Sequence, residues 1–323
     1  MSKEYFINTI SKLVLIFVLL ASTSPGFSVE VVAQSLPWIR VNLPIDQLRM
    51  DPKNKFAAFI DDTGMGLKIL DLRDNAIYTV SKHQVGTSFF WSPDGYRLFY
   101  RELTRDKSNK VVSNLRAYDA FLHRSVNVET IPAATGILTF DPRDLRMYLM
   151  TESGLKTKRI YFPDERLARW QVSQRTDKGK WVVTQNGILW VTQGGYSIRK
   201  IEDDGKPIES FDISPDGTAI VWATAGNNIY INRGNSKAVF LDHGRDPKWH
   251  PTKLQILYAG ARMVGRKAIN FDLKISDING SKRFLTATQS SDERWPQWNL
   301  ENGVIVFTKE RTTDLFTLNF KEE

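Results

Sequence analysis

The sequence predicts an all-β fold built from one repeated sheet unit, and three observations lead to that prediction. A Ser-Pro-Asp-Gly turn occurs twice, at residues 92–95 and 214–217. Apolar and polar residues alternate ahead of this turn or its equivalents at seven places, and these places recur about every 40 residues. Such a period indicates one supersecondary unit stacked many times along the chain.

Seven repeat units are defined by the turn proline or by the residue that takes its place. These anchor residues are Pro52, Pro93, Pro142, Thr176, Pro215, Pro251 and Leu300, and they define units 1 to 7 in that order. Unit 4 is the most divergent, because it reads Thr-Asp-Lys-Gly at residues 176–179.

Alternation ahead of each anchor predicts an inner strand in every unit. The residues four positions before the anchors are Leu48, Phe89, Leu138, Val172, Phe211, Pro247 and Pro296. The residues two positions before the anchors are Met50, Trp91, Phe140, Gln174, Ile213, Trp249 and Trp298. Both sets are apolar apart from Gln174, whereas the residues between them are mostly polar. A period of two indicates a strand with one buried face and one wetter face.

Further strands are predicted after each anchor, separated by turn signals such as Asn186-Gly187. Second strands are predicted at 56–60, 97–100, 146–150, 181–184, 219–223, 256–259 and 304–308. Third strands are predicted at 67–70, 115–118, 159–162, 188–191, 228–231, 271–275 and 315–319. Outer fourth strands are predicted at 76–80, 125–129, 197–201, 238–241 and 283–286.

The last unit lacks a fourth strand, while residues 38–43 (Trp-Ile-Arg-Val-Asn-Leu) precede the first unit without a partner. We therefore expect the N-terminal strand to complete the last unit, which also removes open sheet edges. The sequence thus predicts a seven-bladed β-propeller over residues 34–323, closed by its N-terminal strand, with six blades as the alternative.

The turn with its preceding aromatic residue, together with Asn228-Ile229-Tyr230, resembles the TolB-like β-propeller repeat. The resemblance covers residues 38–320. The resemblance implies that each repeat forms one blade of a propeller. The family includes periplasmic translocation proteins, lyases acting on uronic-acid polymers and the propellers of prolyl peptidases. The sequence differs from TolB itself, because it shows seven repeats rather than six and no segment like the N-terminal α/β domain of TolB.

Residues 1–33 are predicted to be a signal peptide. The run at residues 13–21 is apolar and shorter than the roughly 20 residues that cross a bilayer. It is followed by Val31-Val32-Ala33, a suitable cleavage site. We expect a periplasmic or secreted protein without stable membrane insertion after cleavage. An uncleaved membrane anchor is the alternative.

Composition limits the possible chemistry and partners. The chain has no cysteine, which excludes a disulfide framework and thiolate chemistry. Its formal net charge of +8 favours acidic partners. We do not expect nucleic acid to be one of them, because the basic residues alternate with acidic ones and the predicted export removes the chain from nucleic acid.

The sequence offers little support for catalysis, and it predicts neither a cofactor nor a bound metal. In a propeller, the inner-strand residues three and five positions before each anchor are predicted to line the central channel, and none of the four histidines occupies such a position. No Gly-x-Ser-x-Gly motif or phosphate loop is present. The alternative is a channel-site enzyme, a polysaccharide lyase or glycan hydrolase. That alternative requires acids such as Asp212 and Asp246 to converge on one pocket.

A binding face is predicted on the side of the propeller that carries the loops between second and third strands. Two of these loops are long, at residues 101–114 and 260–270. The candidate binding residues there and in the neighbouring loops are Arg105, Lys107, Arg245, Arg262, Arg266, Lys267, Arg294 and Trp295. Arginine and tryptophan are enriched at interface hot spots. The alternative interpretation is that these are solubilising loop charges.

These observations predict a non-catalytic scaffold that binds an envelope protein or an anionic polymer, as a monomer or in a hetero-complex. A structural subunit of a multiprotein envelope complex is a further alternative.

Overall fold

Strands and tight turns make up almost all of the described structure. The computed structural model describes residues 35–61, 65–87, 89–132, 136–160, 171–172, 179–191, 198–234, 237–288 and 291–320. Within them the one helix is a 3-10 turn at Leu300–Asn302, and no helix there is long and apolar enough to cross a membrane. The predicted signal peptide, residues 1–33, lies outside the described residues.

The N-terminal strand is β1 (Leu36–Arg40). The strands of the first four units are β2 (Asp46–Met50), β3 (Phe56–Ile60), β4 (Met65–Asp71), β5 (Ile77–Gln84), β6 (Phe89–Trp91), β7 (Arg97–Arg105), β8 (Val111–Asp119), β9 (Arg124–Pro132), β10 (Gly136–Ile137), β11 (Thr139–Asp141), β12 (Arg146–Thr151), β13 (Gly154–Arg159), β14 (Gln171–Val172), β15 (Lys180–Thr184), β16 (Gly187–Val191) and β17 (Ile198–Ile201).

The remaining strands are β18 (Ile208–Ile213), β19 (Ile220–Thr224), β20 (Asn228–Asn232), β21 (Val239–Trp249), β22 (Gln255–Val264), β23 (Lys267–Asp277), β24 (Lys282–Phe284), β25 (Glu293–Asn299), β26 (Val304–Lys309) and β27 (Asp314–Asn319). Each second strand predicted from the sequence is present within a residue or two at its start. The prediction of an all-β fold is confirmed.

Most strands pair antiparallel with the next strand in the chain. Unit 1 comprises β2 to β5, and a single pair between β5 and β7 links it to unit 2, which comprises β6 to β9. Units 5 and 6 form one continuous sheet from β18 to β24, because β21 is long enough to be the outer strand of one unit and the inner strand of the next.

The N-terminal strand completes the last sheet, as the sequence predicts. Strand β1 pairs antiparallel with β27, from Leu36 opposite Thr317 to Arg40 opposite Asp314. Just beyond this strand, the Val41 N–H donates to the Thr313 carbonyl at 2.9 Å. The two ends of the repeat region are therefore joined by backbone hydrogen bonds.

Unit 4 differs from its prediction. Val172, predicted on the inner strand of unit 4, instead pairs through β14 with the outer side of β13 in unit 3. The inner position of unit 4 is taken by β10, which pairs with β15, while β11 pairs with β12. The alternation is weakest around Gln174, so the chain has little apolar pattern there to specify an inner strand.

The third strand of unit 3 also differs from its prediction. It was expected at residues 159–162, but β13 begins at Gly154 and ends at Arg159. Gly154 has a φ of 107° and pairs with Thr151, so a two-residue turn follows β12 directly. A glycine in this backbone region permits a tight hairpin that a longer loop prediction misses.

Apolar clusters join each unit to its neighbour and also join unit 7 to unit 1. Seven such clusters draw on two adjacent units each. Representative members, in order from units 1 and 2 to units 7 and 1, are Phe56 with Trp91, Phe99 with Met147, Tyr148 with Val182, Trp181 with Trp222, Val221 with Ile256, Leu257 with Phe307, and Val306 with Phe59. Burial of these facing surfaces provides the main stabilisation of the fold.

The residue immediately before the anchor organises the turn in units 2, 5 and 6. The Ser214 hydroxyl accepts from the Ala219 N–H at 2.9 Å and donates to Asp216 at 2.6 Å, and Ser92 does the same in unit 2. In unit 6 the position is His250, whose Nδ1 accepts from the Lys253 N–H at 3.0 Å. His250 therefore takes the place of the turn serine in unit 6.

Tryptophans two positions before the anchor tie units together. The Trp91 indole N–H donates to the Arg49 carbonyl at 3.0 Å, and the Trp249 indole N–H donates to the Asp212 carbonyl at 3.1 Å. Trp298 reaches the Lys248 carbonyl at 3.4 Å in the same way. In each case the acceptor is the channel residue three positions before the anchor of the preceding unit. These bonds fix the backbone that carries the channel side chains.

Deleting residues 35–43 should lower the free energy of unfolding by about 3 kcal/mol or more, because Ile39 and Val41 lose their burial. Urea denaturation of the truncated and intact proteins would measure this change. The Leu36→Ser variant is the control, since this side chain is 54% exposed and its loss should change stability by less than about 0.5 kcal/mol. Equal stability of the truncated and intact proteins would contradict the closure by β1.

Replacing Ser214 by Ala should cost about 1–3 kcal/mol, because the Ala219 N–H loses its buried acceptor. Thr218→Ala removes an exposed hydroxyl that bonds the same Asp216 carboxylate and should have a much smaller effect. Thermal unfolding followed by circular dichroism would compare the two variants. Similar losses in both variants would show that the turn does not depend on the buried serine.

Candidate functional site

Two cavities lie at opposite ends of the inner strands. The turn-face cavity, of about 680 Å³, is bordered by five of the anchor residues and the C-terminal ends of the inner strands. The loop-face cavity, of about 870 Å³, is bordered by the N-terminal ends of these strands and by loops of units 5 and 7. Thr87 borders both cavities, so they belong to the two ends of one channel region.

The eight predicted binding residues fall into two groups in the structure. Arg245, Arg294 and Trp295 lie together in the wall of the loop-face cavity. The other five lie on two hairpins. They are Arg105 and Lys107 at the β7–β8 hairpin, and Arg262, Arg266 and Lys267 at the β22–β23 hairpin. Of these five, Arg262 is half-buried and the rest are exposed.

Arg294 is neutralised by a buried carboxylate. Its Nε lies 2.7 Å from Oδ2 of Asp246, which also accepts the Trp295 N–H at 3.1 Å. Burial alone would lower the pKa of Arg294, but the charge and hydrogen bond of Asp246 raise it. The guanidinium is therefore held as a charged partner of Asp246 and is not free for a ligand.

A β-bulge recurs at the same repeat position in units 1, 6 and 7. Gln47, Asp246 and Trp295 each lie five residues before an anchor and have left-handed φ values of 55°, 56° and 51°. The strand register shifts beside each of them. Non-glycine residues adopt this conformation at a cost, and bulges re-aim side chains. The indole N–H of Trp295 consequently donates to Asp46 at 3.0 Å, linking unit 7 to unit 1.

Arg245 and Arg262 are also engaged within the protein. Arg245 pairs with Asp292 at 3.2 Å and lies 3.9 Å from the centre of the Phe271 ring. Arg262 forms an ion pair with the fully buried Asp272 and lies 4.6 Å from the centre of the Phe284 ring. Among the predicted residues, the exposed positive charge is therefore concentrated at Arg105, Lys107, Arg266 and Lys267.

The β22–β23 hairpin combines exposed charge with exposed apolar side chains. Met263, Val264 and Ile269 are 38%, 63% and 59% exposed, and they flank Arg266 and Lys267 at the tip. Gly265, with a φ of 60°, occupies the turn. The charges of this hairpin were predicted from the sequence, but its exposed apolar side chains were not. The signal available for it was the continuation of the apolar alternation beyond the predicted end of the second strand.

The two acids proposed for a channel-site enzyme do not converge. Asp212 lines the turn-face cavity, where it accepts from Lys248 at 3.0 Å and from the Trp249 N–H at 2.9 Å. Asp246 is buried beside Arg294 at the other end of the inner strands. Among the described residues, no group of three or more histidine or acidic side chains is arranged to hold a metal ion.

The turn-face cavity brings together charged residues that the sequence placed in separate units. Arg49, Asp212 and Lys248 all lie three residues before an anchor, and all three line the cavity. Burial lowers the pKa of Arg49, and the charge of Asp212 opposes that effect. Burial also lowers the pKa of Lys248. Their common repeat position was the signal for a shared site, but only the packing of the units brings them to one cavity.

Glu293 is a buried acid directly before Arg294. Its Oε2 accepts from the Leu273 N–H at 2.8 Å and from the Thr286 hydroxyl. Oε1 has no hydrogen-bond partner. Burial raises the pKa of Glu293 to about 7, partly offset by these hydrogen bonds.

No protein-family model matches the chain, and no curated protein matches it either. The chain is similar to the β-propeller domain of Cps50 (Swd1) from Myceliophteria thermophila, at 12% identity and a TM-score of 0.54, covering 86% of this chain and 97% of that one. It is similar to a chain of the mitotic checkpoint complex, at 11% identity and a TM-score of 0.53, covering 96% and 99%.

Oligogalacturonate lyase from Vibrio parahaemolyticus also matches, at 13% identity and a TM-score of 0.45, covering 85% of this chain and 77% of that one. The TM-score of this match is too low to indicate a shared fold. The first two likenesses show the β-propeller fold alone. The resemblance to TolB-like repeats stays a prediction.

Glu293 should make stability depend on pH. Its carboxyl titrates near 4.5 when unfolded and near 7 when folded, so the folded state binds more protons between these values. The free energy of unfolding therefore falls as pH rises through this window, by about 1–3 kcal/mol. Glu293→Gln should remove that fall, as measured by urea denaturation from about pH 5 to about pH 8.

The exposed acid Glu301 provides the control, because Glu301→Gln should leave the pH profile of the parent unchanged. Parallel profiles for the parent and Glu293→Gln would contradict the assignment of this transition to Glu293.

Proposed function

We propose that the chain is an exported seven-bladed β-propeller that acts as a non-catalytic scaffold and binds a protein of the cell envelope through its loop face. The observation that carries this proposal is the exposed tip of the β22–β23 hairpin. Export is supported by the sequence of residues 1–33, and the propeller by the two structural neighbours.

Seven blades are supported by the apolar clusters between units. Each of the seven clusters combines adjacent units, including units 7 and 1. The pairing of β1 with β27 supports closure, because it supplies the fourth strand that unit 7 otherwise lacks. A closed ring protects sheet edges and provides a rigid support for loops.

The composition of the β22–β23 tip favours a protein partner. Val264 pairs with Lys267 across the tip, so an exposed apolar side chain and a cation lie directly opposite each other. Met263 and Ile269 on the same hairpin are also exposed. Contiguous exposed apolar residues with a charged rim are typical of protein interfaces. The matching partner surface would be apolar and bordered by acidic groups.

An anionic polymer is the less favoured partner. Polymer binding needs cations along a continuous track, because affinity comes from many successive charge contacts. Here the exposed predicted cations are at hairpin tips of units 2 and 6, and the arginines nearer the channel are paired with Asp246, Asp292 and Asp272.

Replacing Arg266 and Lys267 with Glu should reduce partner capture from an envelope extract by at least about ten-fold, because the cations would become repulsive toward an acidic partner. Val264→Ser with Ile269→Ser should reduce the same capture through lost apolar burial. Both side-chain pairs are exposed, so melting temperatures should stay near that of the parent protein. Affinity capture with quantitative mass spectrometry would measure the retained partner.

The matched control reverses two exposed cations on outer strands, Lys82→Glu and Arg124→Glu, and should leave capture intact. Retention on a polygalacturonate column, lost only in the charge-reversed variant and without any protein captured, would favour the polymer alternative. Protein capture that is insensitive to both hairpin variants would reject the proposed face.

A further inference from the structure

The turn-face cavity contains a cation without a matching carboxylate. The Arg49 side chain is half-buried and its guanidinium lies 5.3 Å from the centre of the Phe89 ring. No carboxylate of the described residues lies within ion-pair distance of this guanidinium. The nearest opposite charge that acts on it is Asp212, whose two oxygens are already engaged.

Both oxygens of Asp212 have protein donors. Lys248 donates to Oδ1 at 3.0 Å, and the Trp249 N–H donates to Oδ2 at 2.9 Å. One carboxylate therefore serves two cations, Arg49 and Lys248, which repel each other. The three channel groups together carry a net charge of +1. A partly buried cation without a counter-ion is unfavourable, so this arrangement is complementary to one added negative charge.

The other charged groups around the cavity do not neutralise Arg49. Lys53 and Glu301 are exposed residues of opposite charge at the rim. The Asp51 carboxylate is committed to its own turn, where it accepts the N–H groups of Lys53, Lys55 and Phe56. Among the described residues, neither Asp51 nor Glu301 forms an ion pair with Arg49, so the guanidinium has no direct counter-ion from the turns.

The remaining wall is largely apolar. Its aromatic residues are Phe89, Phe90, Trp91, Phe140, Phe211, Trp249 and Trp298. The volume of about 680 Å³ is in the range of small-molecule sites, which are mainly apolar with a few fixed polar groups. The cavity therefore accommodates an apolar body beside the charged group.

We propose that the turn-face cavity binds an organic carboxylate, a single carboxylate group carried on an apolar or aromatic body, with Arg49 as the anion-binding residue. The guanidinium presents paired N–H donors that match the two oxygens of a carboxylate. One carboxylate would balance the net charge of +1 on Arg49, Asp212 and Lys248, whereas a phosphate with about two charges would exceed it.

This site is separate from the proposed protein-binding face. It lies at the turn end of the inner strands, while Arg266 and Lys267 lie at the tip of a hairpin that projects from the loop side. The two proposals use different residues and different probes, so either can fail without the other.

Hydrocinnamate and its neutral amide are the direct probes. Both fit an aromatic-lined site, but only the acid carries the charge that Arg49 requires. Trp91, Trp249 and Trp298 line the cavity, so their fluorescence reports occupancy and isothermal titration calorimetry gives the affinity. We expect saturable binding of the acid, and binding of the amide at least about ten-fold weaker.

The Arg49→Gln variant should lose about ten-fold or more in affinity for hydrocinnamate, while its affinity for the amide should change little. Arg124→Gln, which removes an exposed arginine of an outer strand, is the matched control and should bind as the parent does. The Arg266→Glu and Lys267→Glu variant should also bind hydrocinnamate normally.

A peptide pair distinguishes the source of the carboxylate. Gly-Gly-Phe with a free C-terminus, compared with its C-terminal amide, tests whether a chain end is accepted as well as a small free acid. Preference for the free peptide would identify a peptide C-terminus as an acceptable ligand, and binding of hydrocinnamate alone would restrict the site to small carboxylates.

The comparison of hydrocinnamate with its amide uses the unmodified protein. It therefore tests the carboxylate site even if the Arg49→Gln variant does not fold. Equal affinities for acid and amide would overturn the proposal. Absence of saturable binding by both acids up to their solubility limits, or unchanged hydrocinnamate affinity in a folded Arg49→Gln protein, would overturn it as well.

Discussion

The fold depends on the burial of apolar faces between neighbouring units, including the contact between the last unit and the first. Val306 and Leu315 of unit 7 share a cluster with Leu48 and Phe59 of unit 1. No single four-strand unit can bury both of its faces alone, so each relies on the next. The pairing of β1 with β27 adds backbone hydrogen bonds to the same joint. The two ends of the repeat region are stabilised together.

The packing of the units determines which polar groups are available for binding. Turn acceptors and cross-unit tryptophan bonds hold the inner-strand backbone in place, so channel side chains are presented from fixed positions. Most of the charges near the loop-face cavity are neutralised there, as in the pair of Arg294 with Asp246. Arg49 at the turn end is the exception among the channel residues described above. The exposed hairpin cations differ from both, because solvent surrounds them.

Much of the repeat could be predicted because its signals are local. The second strands follow their turns closely, so the anchors at residues such as Pro52 and Pro215 located them well. The inner strand of unit 4 was predicted wrongly, because the turn and the alternation there are degenerate and the pairing depends on neighbouring strands. The ion pairs of Arg245 and Arg262 could not be predicted either, because their partners Asp292 and Asp272 are 47 and 10 residues away in the chain.

Local signals were enough to predict the all-β class and the second strands, because alternation and turn chemistry act over a few neighbouring residues. The availability of each charge depended instead on how the units pack. Arg49, Asp212 and Lys248 are far apart in the chain, and packing of the units brings them to one cavity. Electrostatic pairing depends on distance in space, which no local sequence pattern specifies.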